Sequence, residues 1–417
     1  MIPVARPLLG AEEVAAAAEA IGSGWIAQGP RVAEFEAAFA TAIGTGHAVA
    51  LSSCTAGLHL AMIAAGVQAG DEVIVPSMSF IATANAARYV GARPVFADVD
   101  PDTLNLTPGT VEPLLTDRTR AVILVDQAGV PADLDAIRAL CDPRGITVIE
   151  DAACAVGSTY HGRPVGAGAA IAAFSFHPRK LLTTGEGGMI TTSDAELAAR
   201  LRRLREHGMD ISAAARHLER QPVLEHYTEL GYNYRMTDVQ AAIGLVQLER
   251  LDTVVKRRRE LAQRYQRLLG QIPGLRVIAD PACGTTNFQS FWVVLPPEFP
   301  VARNELLRLL ADAGISARRG IMAAHLEPAY AGFAGEPELP VTERVSAASL
   351  ILPLFHELTE AEQDQVIGVI ASASSGSLSA ASGLGLRCED GLGAPRGERV
   401  LAESLRLPAR HRGTATR

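Results

Sequence analysis

Residues 71–99, DEVIVPSMSFIATANAARYVGARPVFADV, decide the fold because they place an apolar run, a helical pattern and a second apolar run in succession. Continuous runs of Val, Ile and Ala are typical of strands that are buried on both faces of a sheet. The alternation extends outward to HAVALSS at 47–53 and ITVIED at 146–151, and IAAFSFH and GMITT follow at 171–177 and 188–192. This pattern predicts an α/β fold with a mostly parallel central sheet between helices.

The pattern of apolar runs and the composition change twice along the chain of 417 residues. Residues 1–250 carry most of the alternating pattern and predict a large domain, which ends in an amphipathic stretch that begins at 238 and continues to 270. Residues 251–372 contain one clear strand, FQSFWVVLP at 288–296, and predict a smaller C-terminal α+β domain. Residues 373–417 have no aromatic residue and are rich in Gly, Ser, Ala and Arg, so a disordered tail is predicted there.

Composition excludes several classes of protein. The net charge of −8 gives no bulk attraction to nucleic acid or to an anionic membrane. No apolar run reaches the roughly 18 residues that span a bilayer, and the N-terminal stretch turns acidic where a signal peptide needs an apolar core. The five cysteines are scattered without a CxxC pair, which disfavours a zinc site and a disulfide framework. A cytoplasmic protein without nucleic acid or membrane partners is predicted.

Asp151 ends one of the predicted strands. In open α/β sheets, ligands bind beyond the carboxyl ends of the strands, so a carboxylate at this place can face a ligand. Its neighbour Glu150 is predicted to point to the opposite face, because side chains alternate along a strand. The alternative is that Asp151 only caps the turn that follows.

A second candidate site is the start of a helical pattern in SSCTAGLHLAM, residues 52–62. Ser52, Ser53 and Thr55 bring hydroxyl groups to a place where the backbone amides of a helix start are free. The small Gly57 leaves room beside them. Together these groups form a cradle for a phosphate. The alternative is an ordinary Ser/Thr helix cap.

Lys180 lies in FSFHPRKLLTTGEGGMITT, residues 174–192, between an apolar run and a glycine turn. Hydroxyl groups that can bind an anion surround it, from Ser175, Thr183 and Thr184. The GEGG turn permits close approach of the backbone. A lysine in a confined, partly dry site is expected to have a lowered pKa and can form a Schiff base with a carbonyl compound. The alternative is a solvated side chain.

These three features together match the needs of pyridoxal phosphate (PLP). Its phosphate needs an anion cradle, its ring nitrogen needs a carboxylate that keeps it protonated, and its aldehyde needs a lysine. A competing motif, GAGAAI at 166–171, partly matches a dinucleotide-binding loop. That motif precedes a predicted strand and has alanine in place of the third glycine, so a PLP site is favoured over a nicotinamide site.

Four stretches carry a resemblance to a known family. They are GDEVIVPSMSFIATANAARYVGARPVFADVD at 70–100, VIEDAACAVGS at 148–158, SFHPRKLLTTGEGGMI at 175–190 and GYNYRMTDVQAAIGLVQLERLD at 231–252. In this order they resemble the DegT/StrS-type sugar aminotransferases over about residues 2–372. The resemblance implies a fold-type I PLP-dependent transferase of the aspartate aminotransferase superfamily that works as a homodimer with shared active sites.

The resemblance also implies the roles of individual residues. Lys180 would hold PLP as a Schiff base and move protons, and Asp151 would pair with the ring nitrogen. The other cofactor contacts would be Thr55, Ala56 and Ser175 on the phosphate, Phe80 on the ring face, Cys154 near the ring hydroxyl, and Asn233 on the phosphate of the neighbouring subunit. The alternatives are core packing for Phe80 and a plain turn for Asn233.

Two positions depart from the family pattern, and three other residues are candidate substrate contacts. Cys154 stands where many members have Gln or His, and Asp126 stands where many have His. The segment ARRGIMAAHLEPAY resembles the sugar-side segment of members that aminate at C4. In that segment the candidate substrate contacts are Arg319 and His325. A third candidate is Glu186, the glutamate of the glycine turn, which follows Gly185.

The implied function is transfer of an amino group from an amino acid donor, usually glutamate in this family, to a keto sugar that is mostly nucleotide-linked. The transfer would use PLP and its aminated form, pyridoxamine phosphate (PMP). The alternatives are a PMP-dependent sugar dehydratase of the same fold, an aminotransferase for a cyclitol or another ketone, and a regulatory PLP-binding module. Known dehydratases of this kind replace the lysine, so Lys180 argues against a sugar dehydratase. The absence of a DNA-binding pattern in the sequence argues against a regulatory PLP-binding module.

Overall fold

The structure, a computed structural model, describes residues 1–212, 216, 224–332 and 338–376. These residues belong to one compact unit, and the division into two domains at residue 250 stays a prediction. The last described helix ends at Ser374, two residues into the predicted tail. Residues 377–417 of that tail lie outside the described part of the chain.

The described strands form three sheets. In chain order they are β1 (His47–Leu51), β2 (Glu72–Pro76), β3 (Arg93–Ala97), β4 (Thr119–Val125), β5 (Thr147–Asp151), β6 (Thr159–Tyr160), β7 (Arg163–Pro164), β8 (Ile171–Ser175), β9 (Gly188–Thr192), β10 (Arg276–Val277), β11 (Gly284–Thr285), β12 (Phe291–Val294), β13 (Arg318–Arg319) and β14 (Ser349–Leu352). The central sheet has the order β1-β9-β8-β5-β4-β2-β3. Its pairings from β8 to β3 are parallel, whereas β9 is antiparallel to both of its neighbours. The predicted mostly parallel sheet is therefore confirmed.

The described helices surround this sheet and continue to the end of the compact unit. They are α1 (Ala11–Gly22), α2 (Pro30–Ile43), α3 (Cys54–Ala64), α4 (Ile81–Tyr89), α5 (Pro108–Val111), α6 (Leu134–Cys141), α7 (Ala195–Leu204), α8 (Asp238–Glu249), α9 (Leu251–Leu269), α10 (Arg303–Asp312), α11 (Pro340–Ala348) and α12 (Glu360–Ser374). None of the described helices is both long and apolar enough to cross a membrane.

The amphipathic stretch at 238–270 is two helices and not one. The chain leaves helical geometry at Arg250, where φ is −97° and ψ is 2°, and α9 begins at the next residue. The sequence around this break, QLERLD, contains neither Gly nor Pro. The two residue types that normally mark the end of a helix are therefore missing, which is why the break was not predicted.

Alternate side chains of the central sheet enter two separate cores. Val122 and Leu124 of β4 share one core with Phe39 of α2. The intervening Ile123 shares the other core with Leu58 of α3. All of these side chains are buried. Because helices cover both faces, the strands are apolar at nearly every position, which is the pattern that predicted the fold.

A four-stranded antiparallel sheet, in the order β10-β12-β14-β13, forms with α9 to α12 a third core around Trp292 and Tyr265. The sequence predicted only one strand in this region, at 288–296, which is β12. The prediction of a single strand is wrong. β10 and β13 have two residues each, too few for a period of two to be recognised, and the four residues of β14, SLIL, do not alternate between polar and apolar. The three-stranded sheet β11-β6-β7 was missed for the same reason.

The topology brings several chain segments to one edge of the central sheet. The parallel strands β4, β5 and β8 end there, with Asp151 at the end of β5 and Ser175 at the end of β8. β1 has the same direction as β8, since both are antiparallel to β9. Helix α3 therefore also begins at this edge, three residues after β1 ends. Ligands of open α/β sheets bind at such an edge.

Candidate active site

A cavity of about 550 Å³ lies at this edge of the sheet. Its walls come from the starts of α3 and α4, the end of β5, the loop after β8 and the glycine turn before β9. Among the described residues that line it, the predicted site residues are Thr55, Phe80, Asp151, Cys154, Ser175, Lys180 and Glu186. The predicted residues Ala56, Asn233, Arg319 and His325 are not part of this lining, and neither are the hydroxyl-bearing residues Ser52, Thr183 and Thr184.

Asp151 is a buried carboxylate with only 4% of its surface exposed. Thr83 of α4 donates a hydrogen bond from Oγ1 to its Oδ2 at 2.8 Å, and the amide of Ala153 donates to its Oδ1 at 3.3 Å. Burial raises the pKa of Asp151 above its ordinary value, although the Thr83 hydrogen bond and the nearby Lys180 favour the charged form. A carboxylate in this state is stabilised by a cation that enters the cavity.

Glu150 and Asp151 lie on opposite faces of the sheet, as the alternation along β5 predicted. Glu150 is on the α2 side and receives a hydrogen bond from the Gly166 backbone, whereas Asp151 lines the cavity. The capping alternative for Asp151 is present as well, since the Ala153 amide contacts it. Thr83, which was not singled out from the sequence, is buried in α4 one turn after Ser79, whose hydroxyl contacts it at 2.8 Å.

Lys180 extends from the loop after β8 into the cavity, where its Nζ donates a hydrogen bond to Cys154 Sγ at 3.0 Å. Burial alone would lower the pKa of Lys180. The sulfur atom of Cys154, followed by Cys54 and Asp151, outweighs burial, so the pKa lies above its ordinary value. This direction is opposite to the lowered pKa expected from the sequence, because that expectation counted the dryness of the site and not the side chains of Cys154 and Asp151 beside Lys180.

The start of α3 lies where the sequence predicted a phosphate cradle. Ser53 is the N-cap residue, and its Oγ accepts a hydrogen bond from the Ala56 amide at 3.1 Å. The helix cap is therefore present. It uses the Ala56 amide and leaves the first two amides of the helix, those of Cys54 and Thr55, without an intrahelical acceptor, so a phosphate cradle at this place stays a prediction. A side chain at Gly188 would meet the Cys54 nitrogen at 2.5 Å. Only glycine lets the turn pack against the cradle.

Phe80 and Asn233 differ in how the structure places them. Phe80 precedes α4 and is 70% exposed on the wall of the cavity, so core packing is wrong for it. Asn233 is exposed and outside the lining of the cavity. Its neighbours Tyr232 and Tyr234 stack at 5.1 Å with an angle of 9° between their rings, and both contact His59 of α3. The tyrosines fix this loop and leave Asn233 at the surface.

The two sugar-side candidates do not reach the cavity. Arg319 is 60% exposed and forms an ion pair with Glu327 at 3.2 Å. His325 has a buried side chain whose Nδ1 lies 2.5 Å from the Ser77 hydroxyl and whose Nε2 lies 3.6 Å from Glu343. The neighbouring Arg318, which was not predicted, lines the cavity instead.

Asp126 and Glu150 form a buried acidic pair beneath the site. Asp126 accepts a hydrogen bond from the Ala132 amide at 2.8 Å, but its Oδ2 and Glu150 Oε2 have no partner among the described residues. Burial raises the pKa of Glu150 to about 7. Burial and the charge of Glu150 raise the pKa of Asp126 well above its ordinary value. The pair is most stable when it is protonated.

This pair predicts a loss of stability as the pH rises. A carboxyl group whose pKa is raised in the folded state binds more protons there than in the unfolded chain, so the free energy of unfolding falls as the pH rises from about 4.5 to about 7. For Glu150 alone the loss is about 3 kcal/mol. Glu150→Gln should flatten this part of the profile of melting temperature against pH. The exposed Glu34→Gln is the control, and an unchanged slope in Glu150→Gln would contradict the prediction.

Comparison with known proteins identifies the family. The sequence model of the DegT/DnrJ/EryC1/StrS aminotransferase family matches residues 7–371. The chain belongs to this family. Its members are PLP-dependent sugar aminotransferases, and the resemblance noted in the sequence is confirmed.

Solved structures of other aminotransferases are similar over nearly the whole chain. TlmJ from Streptoalloteichus hindustanus is 41% identical with a TM-score of 0.83, and the match covers 91% of this chain and 100% of TlmJ. DesV from S. venezuelae, solved with a ketimine intermediate, is 37% identical with a TM-score of 0.79, covering 88% and 95%. Spr1654 from Streptococcus pneumoniae in its PMP form is 28% identical with a TM-score of 0.85, covering 91% and 100%.

The residues of this aminotransferase fit PLP. The buried carboxylate of Asp151 matches a protonated ring nitrogen, and the free amides at the start of α3 match a phosphate. The ammonium group of Lys180 lies in the same cavity as both. The enzyme is therefore a PLP-dependent transaminase of fold type I, in which the residues predicted from strand ends and the glycine turn come together.

Proposed function

We propose that this enzyme transfers an amino group from an amino acid donor, glutamate, to a keto sugar that is linked to a nucleotide. The observation that carries the proposal is the placement of Lys180 and Asp151 in one cavity beside the start of α3. The proposed setting is the cytoplasm, which is supported by the free thiol state of the described cysteines, Cys54, Cys141, Cys154 and Cys283.

Bound PLP supplies an aldehyde that accepts an amino group and a ring that stores an electron pair. The chain supplies the rest. Asp151, oriented by Thr83, keeps a proton on the ring nitrogen. The amides of Cys54 and Thr55 hold the phosphate, and Phe80 covers a ring face. Lys180 Nζ removes a proton from the donor carbon and returns a proton to the cofactor.

Transfer is tested with the PLP-loaded protein and a panel of keto sugars. The protein should convert bound PLP to PMP in the presence of glutamate, which is visible in the absorbance of the cofactor. The PMP form should then add nitrogen to at least one nucleotide-linked keto sugar, which the mass of the product shows. A product that has lost water without gaining nitrogen would support the dehydratase alternative. Amination of cyclitol ketones alone would support an aminotransferase for a cyclitol.

We also propose that the active unit is a homodimer in which Asn233 reaches the phosphate bound by the partner subunit. Three observations support this proposal. Asn233 is exposed, it does not line the cavity of its own chain, and the tyrosines on both sides fix its loop. A phosphate that is bound by both chains also ties cofactor binding to association, since a ligand that binds only the dimer stabilises it.

Mixing of two inactive variants tests the shared site. Lys180→Ala and Asn233→Ala are unfolded, mixed in equal amounts and refolded. If the site is shared, a hybrid dimer has one site with both changes and one site with none, so random pairing should restore about a quarter of the wild-type activity. If Asn233 serves its own chain, every site keeps one change and no activity returns. Nearly full activity of Asn233→Ala alone would make Asn233 a turn residue.

A further inference from the structure

Two arginines on the wall of the cavity have no acidic partner. Arg179 directly precedes Lys180 in the loop after β8, and Arg318 lies in β13 of the four-stranded sheet. Neither guanidinium group forms an ion pair with a described residue, whereas the adjacent Arg319 is held by Glu327. The cavity therefore presents two free cations besides Lys180.

The pairing of β13 explains why Arg318 and not Arg319 faces the cavity. Arg318 lies opposite Ile351 of β14, and Arg319 lies opposite Leu350. Residues that are directly opposite in an antiparallel pair share a face, and successive residues alternate between faces. Ile351 lines the cavity as Arg318 does, whereas Leu350 is buried in the core. The strand thus directs Arg318 toward the cavity and Arg319 to the opposite face of the sheet.

The backbone of Arg179 is held in place, while its guanidinium group has no hydrogen-bond or ion-pair partner among the described residues. Gln289 donates a hydrogen bond from Nε2 to the Arg179 carbonyl oxygen at 3.0 Å, and the Arg179 amide donates to His177 Nδ1 at 3.2 Å. Both Gln289 and His177 line the cavity. These bonds fix the start of the side chain, so less entropy is lost when its guanidinium group binds a ligand.

The positions of the two arginines indicate which group of a ligand they bind. Both residues are exposed, in contrast to the buried Asp151, so they lie on the solvent side of the cavity. A group bound there belongs to a part of the substrate that is remote from the reacting carbon. The planar fork of a guanidinium group matches a carboxylate or a phosphate, with two hydrogen bonds in parallel.

We propose that Arg179 and Arg318 together form an oxyanion subsite for a carboxylate or phosphate that the substrate carries several bonds from its reacting carbon. The proposal rests on the proposed function, because it assigns a substrate group to the same cavity. The oxyanion has two sources, the side-chain carboxylate of a dicarboxylic amino donor and the phosphate of a nucleotide-linked sugar. Both substrates enter this cavity in turn, so one subsite can serve either.

Binding of inorganic pyrophosphate tests the phosphate source without any turnover. Full-length, cofactor-loaded protein is used, because the cofactor phosphate then fills the cradle at α3. Calorimetric titration should show binding to the wild type that is weakened about tenfold to a hundredfold in both Arg179→Gln and Arg318→Gln, the range for one charge-assisted hydrogen-bonded contact. Arg319→Gln, which removes the same charge one residue away, should bind pyrophosphate like the wild type.

The donor half-reaction tests the carboxylate source. Conversion of bound PLP to PMP is followed with L-glutamate and with L-alanine, which lacks the second carboxylate. Loss of the subsite should raise the KM for L-glutamate about tenfold or more and leave that for L-alanine unchanged. An effect on pyrophosphate alone assigns the subsite to the sugar phosphate, an effect on L-glutamate alone assigns it to the donor, and effects on both assign it to both.

The proposal is overturned if Arg179→Gln and Arg318→Gln change neither the affinity for pyrophosphate nor the KM for L-glutamate. It is also overturned if Arg319→Gln changes these quantities as strongly, because the effect would then be one of bulk charge. Equal changes for L-glutamate and L-alanine without a change for pyrophosphate also overturn it. Failure of the proposed function is a separate result, in which the wild-type protein adds nitrogen to none of the keto sugars. The titration with pyrophosphate is independent of that outcome.

Discussion

Lys180→Ala should abolish turnover and leave the fold intact. The substitution removes the group that moves protons at the reacting carbon, and loss of a positioned general acid–base costs about 10²–10⁴-fold in rate. It also removes the covalent attachment of PLP, which adds to the loss. The cavity wall should remain, because the substitution removes the hydrogen bond from Lys180 Nζ to Cys154 and keeps the backbone hydrogen bond from the amide of residue 180 to His177. The variant should still bind PMP, measured by its absorbance after gel filtration, with an unchanged circular dichroism spectrum.

The attachment site of the cofactor can be mapped without ambiguity, because the chain contains only two lysines, Lys180 and Lys256. Borohydride reduction of the yellow, PLP-loaded protein should fix the cofactor to the peptide that contains Lys180. Lys256 is exposed on α9, so Lys256→Ala should keep both the label and the activity. A label on Lys256, or substantial turnover by Lys180→Ala, would refute the assignment.

The central sheet could be predicted because its strands are buried on both faces. Val, Ile and Ala then occupy nearly every position, and the runs are bounded by Gly, Pro or Asp. The predicted strand at 71–77, for example, differs from β2 by one residue at each end. Such runs report burial directly, so the order of elements followed from the sequence without knowledge of the tertiary contacts.

The four-stranded sheet could not be predicted, because its strands depend on partners that are distant in sequence. β13 consists of Arg318 and Arg319 alone and exists only through its pairing with β14. Two polar residues give no periodicity, so the sequence could not show which arginine faces the cavity. The sequence therefore singled out Arg319, whereas Arg318 lines the cavity, since a shift by one residue exchanges the two faces.

Residues at strand ends could be singled out from the sequence, whereas Thr83, inside a helix, could not. Asp151 and Ser175 end neighbouring strands, and the direction of the sheet brings them to one edge. Thr83 reaches the same place from α4. Its contact with Asp151 depends on the rotation of that helix about its axis, and the weakly patterned sequence IATANAARY does not specify this rotation. The proposed reacting groups could therefore be named from the sequence, but the residue that orients the carboxylate could not.

Asp151→Ala should lose most activity while the protein stays folded. In the proposed function Asp151 keeps a proton on the ring nitrogen, and without this proton the ring would accept the electron pair of the reacting carbon poorly. The rate should fall by about 10²–10³-fold, the range for loss of one preorganised group that stabilises developing charge. The fold should survive, because removal of Asp151 also removes a carboxylate whose burial is unfavourable, as its raised pKa shows.

Glu150→Gln is the matched control for this variant. The two carboxylates are adjacent in β5 and similarly buried, at 2% and 4% exposed, but Glu150 lies on the face away from the cavity. The rate of Glu150→Gln at neutral pH should therefore stay near that of the wild type. Asp151→Asn separates charge from shape, because the amide can keep the contact with Thr83 without offering the ring nitrogen a negative partner. Low rates in both Asp151 variants, with a normal rate in Glu150→Gln, require a charge at this one position. Near-native rates in Asp151→Asn would mean that the carboxylate only caps its turn.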